Sequence, residues 1–226
     1  MSAPLIPKES GVMLGGLALV CVVLWGIALS SSSTGILVLS IIITLLLGFL
    51  LFFFRDPERT IPDGDDNLVS PCDGQVLSIE PCSVELLGVP GNVVSIFMSV
   101  LNVHVNRNPC SGKVLEVEHR PGKFGHAGKE PASSENEQTR ILIEHSASKI
   151  MVTQIAGVLA RRIICHLKEG DTITKGERFG MIVLGSRLQI TVPDAVTIKV
   201  RVGQRVRAGE TIIGVWNYET KPVSMA

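Results

Sequence analysis

The chain predicts a mainly β fold: a barrel-sandwich β domain preceded by an N-terminal hydrophobic helical hairpin. Three observations lead there. Two long uncharged apolar runs lie near the N-terminus, short β-branched runs broken by Gly, Pro and Asp follow from Thr60 onward, and one eight-residue pattern occurs twice in the second half. A chain of 226 residues has room for one domain and an appendage, which divides it into an anchor, 1–59, and a β-rich domain, 60–226.

The apolar runs are Val12 to Leu29 and Ile36 to Phe54, separated by the polar stretch Ser30-Ser31-Ser32-Ser33-Thr34-Gly35. As helices, each is about 27–28 Å long, enough to cross or nearly cross a hydrocarbon core. Backbone groups in lipid must be satisfied internally, which requires helix here. A short connection makes the helices antiparallel. Charges flank only the open ends, with Lys8 and Glu9 before and Arg55, Asp56, Glu58 and Arg59 after, which predicts both termini on the cytoplasmic side. A hairpin that dips into one leaflet satisfies the same pattern. A cleavable signal does not, because the apolar region starts late and a second run follows it.

Strands are expected at Val93–Met98, Lys113–Val117, Arg140–Ile143, Ile190–Val192 and Thr197–Val202. The stretch from Gly122 to Glu137, rich in Gly, Lys, Glu and Ser, reads as a long loop. The repeated pattern is Gly, two residues, an apolar residue, two residues, Gly-Glu. It starts at Gly170 and again at Gly203, 33 residues later, and such hairpins resemble those of lipoyl and biotinyl domains. A looser echo relates Pro71-Cys72-Asp73-Gly74 to Pro109-Cys110-Ser111-Gly112.

Composition excludes several classes. Lys+Arg and Asp+Glu balance at 21 each, so no overall field favours nucleic acid. Five cysteines, with no C-x-x-C and no metal-ligand spacing, argue against a disulfide framework or a zinc site. Cys72, Cys82, Cys110 and Cys165 read as small hydrophobes.

The stretch with chemical promise is Arg178-Phe179-Gly180-Met181-Ile182-Val183-Leu184-Gly185-Ser186-Arg187-Leu188-Gln189-Ile190, which reads as strand, tight turn, strand. Without a Cβ at Gly185, its carbonyl is open to approach, and the next hydroxyl, Ser186 Oγ, can attack it through a five-membered ring. That N→O acyl shift makes an ester. Elimination across Cα–Cβ then leaves dehydroalanine, which hydrolyses to a pyruvoyl group and ammonia. Taken alone, a Gly-Ser pair between strands is simply a turn.

Other stretches change the balance. Phe54-Arg55-Asp56-Pro57-Glu58-Arg59 closes the anchor, and Ser70-Pro71-Cys72-Asp73-Gly74 opens the β domain. Met98-Ser99-Val100-Leu101-Asn102-Val103-His104-Val105-Asn106-Arg107-Asn108-Pro109, Pro121-Gly122-Lys123-Phe124 and Glu135-Asn136-Glu137 follow. Ile155-Ala156-Gly157-Val158-Leu159-Ala160-Arg161-Arg162, Phe179-Gly180-Met181 and Leu184-Gly185-Ser186 complete the series. In this order the set resembles the short bacterial and archaeal form of the phosphatidylserine decarboxylase family, over nearly the whole chain.

The resemblance implies a membrane-bound lyase that converts phosphatidylserine to phosphatidylethanolamine and carbon dioxide. It implies a proenzyme cut between Gly185 and Ser186 into a β chain, 1–185, and an α chain, 186–226, which stay together as a heterodimer or a higher oligomer. The α chain would begin with a covalent pyruvoyl group made from Ser186. A Schiff base between that group and the substrate amine provides the electron sink for decarboxylation. Neither pyridoxal phosphate nor a metal is then required, and the chain carries no Walker-type or G-x-G-x-x-G phosphate cradle.

Of the five histidines, His104 lies in the most family-like stretch and is the leading acid–base candidate, with His126 second. Asp73 matches the aspartate that longer family members use in an Asp-His-Ser self-cleavage arrangement. Those members carry two histidines three residues apart, whereas this chain has His104 and then Arg107, which cannot act as a base at neutral pH. Either His104 serves both reactions, or backbone strain and oxyanion donors carry the cut. Asp73 in Asp-Gly is also an ordinary turn residue. For the substrate phosphate, Arg107, Arg161, Arg162 and Arg187 are candidates, as they are for contact with anionic headgroups.

Two other functions fit parts of the sequence. A membrane-tethered barrel-sandwich adaptor would carry long coiled-coil arms, and a lipoyl carrier would need a modifiable Lys in a suitable setting, for which Lys175 is only the nearest match. A membrane serine hydrolase using Ser186, His104 and Asp73 lacks a G-x-S-x-G elbow.

Overall fold

The computed structural model describes residues 8–31, 33–84, 88–122, 136–146, 148–157, 163–183 and 186–217. Two compact units emerge, one ending at Glu58 and the other starting at Arg59.

The first unit is a pair of packed helices, α1 (Lys8–Ser30) and α2 (Thr34–Phe53). Their spans begin a few residues earlier than the apolar runs because the flanking polar residues continue the helical hydrogen bonding. Most of their apolar side chains point outward, Val12, Val22, Leu29 and Leu45 among them, as expected of helices bathed in lipid. The hydroxyl of Thr44 donates to the Ser40 carbonyl at 2.7 Å. Its oxygen is left to accept the Trp25 indole N–H at 2.9 Å and the Cys21 thiol at 3.1 Å, which ties α1 to α2. At about 30 Å or more, each helix is long enough to cross a bilayer, and the pair supports membrane association.

The second unit is β throughout, and among the described residues no helix follows α2. In chain order the strands are β1 (Asn67–Val69), β2 (Gly74–Val84), β3 (Val89–Met98), β4 (Val105–Arg107), β5 (Gly112–Arg120), β6 (Gln138–His145) and β7 (Ser148–Ile155). They continue as β8 (Ile163–Cys165), β9 (Thr172–Ile173), β10 (Arg178–Ile182), β11 (Ser186–Pro193), β12 (Val196–Ile198), β13 (Arg205–Val206) and β14 (Ile212–Trp216). An antiparallel eight-stranded sheet runs β13-β2-β3-β11-β7-β6-β5-β9, accompanied by two three-stranded sheets, β1-β14-β12 and β4-β10-β8. Alternate residues of the central strands, including Val94, Ile96, Ile141, Ile143, Ile150, Val152, Leu188 and Ile190, form one core. The strand expected at Thr197–Val202 stops at Ile198, because Arg201 N–H is drawn into a turn by the Gln204 side chain at 3.2 Å.

Both sequence echoes are structural. The eight-stranded order reads the same from either end, with β13, β2, β3 and β11 matching β9, β5, β6 and β7. In the small sheets, Asn67↔Val215, Leu68↔Gly214 and Val69↔Ile212 match Val105↔Met181, Asn106↔Gly180 and Arg107↔Arg178, including a bulge at the same step. Val76 N–H reaches the Gln204 carbonyl at 2.9 Å, as Val114 N–H reaches the Asp171 carbonyl at 2.8 Å. The repeat glycines Gly170 and Gly203, like Gly176 and Gly209, all turn with positive φ, which explains why the pattern retains them.

The fold is thus a duplication with one half inserted into the other. β4 to β10 form one half without interruption, whereas the other half is β1 to β3 and β11 to β14. β6 and β7 are joined as a hairpin, with His145 opposite Ser148. Their counterparts β3 and β11 pair in the same way, with Met98 opposite Ser186, but the whole inserted half replaces the turn.

Candidate active site

Ser186 is the first residue of β11, a strand held between β3 and β7 at the middle of the large sheet. It is fully buried, and its hydroxyl donates to Met98 Sδ at 3.5 Å, a weak acceptor. The preceding strand, β10, belongs to a different sheet and pairs with β4 and β8. The two strands around Gly185-Ser186 are therefore not hairpin partners, as strand-turn-strand would suggest. The chain crosses here from one sheet to another, and from the inserted half back to the enclosing one. Leu184 and Gly185 lie outside the described residues.

His104 sits just before β4 and is fully buried. Its Nδ1 lies 3.0 Å from the Asn102 carbonyl, which can only accept, so in the neutral ring Nδ1 carries the hydrogen and Nε2 does not. The His104 carbonyl accepts from Ile182 N–H at 3.4 Å. Backbone bonding thus attaches His104 to the last residue of β10, four positions before Ser186.

Asp73 is engaged elsewhere. Both of its oxygens are bound by Arg59 Nη2, at 3.0 and 2.9 Å, and one also accepts Ala208 N–H at 2.8 Å. Both side chains are largely buried, so the pair acts as an internal staple between the start of this unit and the β13–β14 turn.

The arginines separate into distinct settings. Arg107 is buried, with Nη1 donating to the Gly176 carbonyl at 3.0 Å. Arg187 follows Ser186 on the strand and so projects from the opposite face of β11, where it too is buried. Arg161, Arg162 and His126 lie outside the described residues, as does most of the long loop, 123–135.

The thiols of Cys110 and Cys72 are unsuited to nucleophilic chemistry at neutral pH. Burial pushes Cys110 up to about 12 and, together with the neighbouring Asp73 charge, raises Cys72 well above the ordinary thiol range. Both pack in the core, as small hydrophobes do.

With this geometry in place, comparison with known proteins is informative. The phosphatidylserine decarboxylase family profile matches residues 46–214, from the last turns of α2 into β14. The chain belongs to the phosphatidylserine decarboxylase family. A protein of Syntrophus aciditrophicus called phosphatidylserine decarboxylase proenzyme is 49% identical over 170 residues, covering 74% of this chain and 80% of that one. Proteins with the same description from Nitratidesulfovibrio vulgaris and Chlorobium phaeovibrioides are 46% and 48% identical, covering 79% and 73% of this chain and 83% and 75% of theirs.

For a phosphatidylserine decarboxylase, the surroundings of Ser186 hold residues that sequence reading passed over. Asn106 lies inside the quoted His104 stretch, and its Nδ2 faces the same Met98 sulfur at 3.9 Å. Gln154 Nε2 donates to Asn106 Oδ1 at 2.8 Å. Both are fully buried. An amide on the core-facing side of the strand, at the alternation set by Ile150 and Val152, was the available signal for Gln154. Nothing in the local sequence marks Arg59 as the partner of Asp73.

Proposed function

We propose that this membrane-associated chain decarboxylates phosphatidylserine to phosphatidylethanolamine and carbon dioxide, using a pyruvoyl group that it makes from its own Ser186. The observation carrying the Ser186 assignment is the placement of that residue. A buried serine begins a central strand directly after the chain changes sheets, and the other end of the crossing is hydrogen-bonded to His104. Cutting at this crossing would divide the chain into residues 1–185 and 186–226 without undoing any strand.

The chain's own residues divide the work. Ser186 Oγ attacks the Gly185 carbonyl, and His104 Nε2 takes the hydroxyl proton, its ring fixed by the Nδ1–H bond to Asn102. After the cut, β11 stays paired with β3 and β7, β13 with β2, and β14 with β1, so the α chain remains interlaced with the β chain as a heterodimer. Met98, whose sulfur takes the Ser186 hydroxyl, and Asn106, which faces the same sulfur, are uncharged, which suits a neutral ketone in a buried place. A pyruvoyl group made from Ser186 would supply the electron sink for the pair left as carbon dioxide departs. His104 Nε2 then returns a proton to the product carbon.

The remaining assignments follow from elimination and charge. Arg107 is engaged at Gly176, and Arg187 faces away from Ser186, so the lipid phosphate is assigned to Arg161 and Arg162. Asp73 serves to secure the fold through Arg59 rather than to orient a base. We assign the β unit to the cytoplasmic side, a reading that the charges at the open ends of the helical pair support.

Intact mass under denaturing conditions tests this reading. Two fragments are expected, the smaller starting at residue 186 and about 17 Da lighter than a free serine start, since an amine has left as ammonia and a ketone remains. A single uncut chain with decarboxylase activity would overturn the Ser186 assignment.

A further inference from the structure

The duplication provides an internal comparison for every position near Ser186. By the matched registers, Asn106 on β4 corresponds to Leu68 on β1, both opposite a glycine, Gly180 or Gly214. Gln154 on β7 corresponds to Val192 on β11, since the two strands pair symmetrically about Val152↔Ile190. Leu68 and Val192 are buried core residues. The fold therefore accepts apolar side chains at both places, yet one half carries two buried amides.

Their orientations are fixed in sequence. The Ile164 carbonyl can only accept, so the Gln154 atom facing it at 3.4 Å is Nε2. That nitrogen also lies 2.8 Å from Asn106, which must present Oδ1 to it. Asn106 Nδ2 is thereby turned towards Met98 Sδ, where the Ser186 hydroxyl also ends. A thioether holds neither donor strongly. Gln154 Oε1 has no hydrogen-bond partner among the described residues, a cost that an apolar side chain would avoid.

We propose that Asn106 and Gln154 are positioning residues for self-cleavage, an inference that rests on the role of Ser186 given above. Gln154 fixes the flip of Asn106, and Asn106 Nδ2–H donates to Ser186 Oγ as that oxygen loses its proton. In the step they assist, a bond forms between Oγ and the Gly185 carbonyl carbon, and the bond from that carbon to the Ser186 nitrogen breaks. The hydroxyl proton ends on that nitrogen. The reaction is an isomerisation and consumes no other reactant. Donation to the developing alkoxide lowers the barrier and holds Oγ on the core side of the strand.

The test is the rate of cutting in the full chain, synthesised cell-free with phospholipid vesicles and followed by denaturing gel and intact mass. Asn106→Leu and Gln154→Val install the residues that the other half already carries. Each is expected to slow cutting about tenfold or more. Introduced into an uncut Ser186→Ala background, each should leave the melting temperature unchanged or raised. Cutting at the wild-type rate in both variants overturns the proposal, as does slowing that tracks a loss of stability. Failure of the wild type itself to cut would instead count against the Ser186 reading. Should either variant fail to fold, Gln154→Glu decides, because its carboxyl has nearly the same shape and can donate to Asn106 only when protonated. The groups facing Gln154, namely Asn106, the Ile164 carbonyl and the cross-strand neighbours Leu188 and Thr139, are uncharged, and His119, whose Nδ1 lies 3.1 Å from the Thr139 hydroxyl, is equally present in the wild type, so a titration that the wild type lacks would belong to the introduced carboxyl. Cutting is then expected at low pH and lost as pH rises. A profile matching wild type overturns the proposal.

Discussion

Val152 and Ile190 lie opposite one another at the centre of the eight-stranded sheet, and the pairing repeats outward from them in both directions. Residue 186 corresponds to residue 148, and residue 98 to residue 145. Ser148 closes an ordinary hairpin opposite His145, while Ser186, opposite Met98, terminates a long excursion through the inserted half. Equivalent serines thus occupy one turn that the chain makes directly and one that it reaches from another sheet. A cut before Ser186 would leave every strand with its neighbours, so the proposed self-processing is compatible with a stable β unit.

Ser186→Ala should remain a single chain without decarboxylase activity. Its cost in stability should be about 1 kcal/mol or less, because only a weak bond to a thioether is lost. Mass spectrometry and a melting curve check both parts. Persistent turnover in that variant would remove the pyruvoyl mechanism. His104→Ala should lower turnover even in material already cut, and normal turnover in the cut fraction would take His104 out of the decarboxylation step.

Asp73 and Arg59 should behave as an ion pair of the fold. Replacing Arg59 with Ala leaves the largely buried Asp73 carboxylate without its cation and should cost about 3–5 kcal/mol, whereas Asp73→Ala should cost less because Arg59 keeps Glu210 at 3.5 Å. Replacing both should cost less than the sum of the two. Chemical unfolding of the four proteins in this cycle measures the coupling. If Asp73→Ala keeps its stability yet fails to cut, the aspartate belongs to the self-cleavage machinery instead.

Legibility in the sequence followed the range of the interactions. The helical pair was plain because lipid demands long uncharged runs, and the repeat turns were plain because positive φ retains glycine at fixed spacing. Strands such as β3 and β6 showed through their β-branched residues. The change of sheet between β10 and β11 was not readable, because a three-residue link looks alike whether its strands pair or part. Asn106 and Gln154 were missed for a related reason. They are 48 residues apart, and only the packing of a small sheet on a large one brings their amides to 2.8 Å. Arg59 meets Asp73 across a bend that no local pattern announces.

Arg161→Gln and Arg162→Gln should each raise the KM for phosphatidylserine by about tenfold, the loss of a charge-assisted contact to phosphate, with self-cleavage unaffected. Kinetics in mixed micelles, together with a gel for cutting, separate the two readouts. The outcome that defeats the assignment is an unchanged KM in the double variant.

The buried thiols predict loss of stability in alkali. Burial raises Cys110 to about 12, whereas in the unfolded chain it ionises near 8.5. A raised folded-state pKa favours the neutral form, so this contribution is whole below about pH 8.5 and declines as pH climbs towards the folded value. Within that window the slope is about 1.4 kcal/mol per pH unit for each such thiol, and Cys72, shifted in the same direction, adds to it. Denaturant midpoints of the full chain in detergent, taken between about pH 8 and 10.5, should fall steadily. Cys110→Ala should start lower, having lost a buried sulfur, but should fall less steeply because one ionising thiol is gone from the unfolded state. Equal slopes for the two proteins would mean that other groups govern the alkaline limit, tyrosine and lysine ionisation first among them.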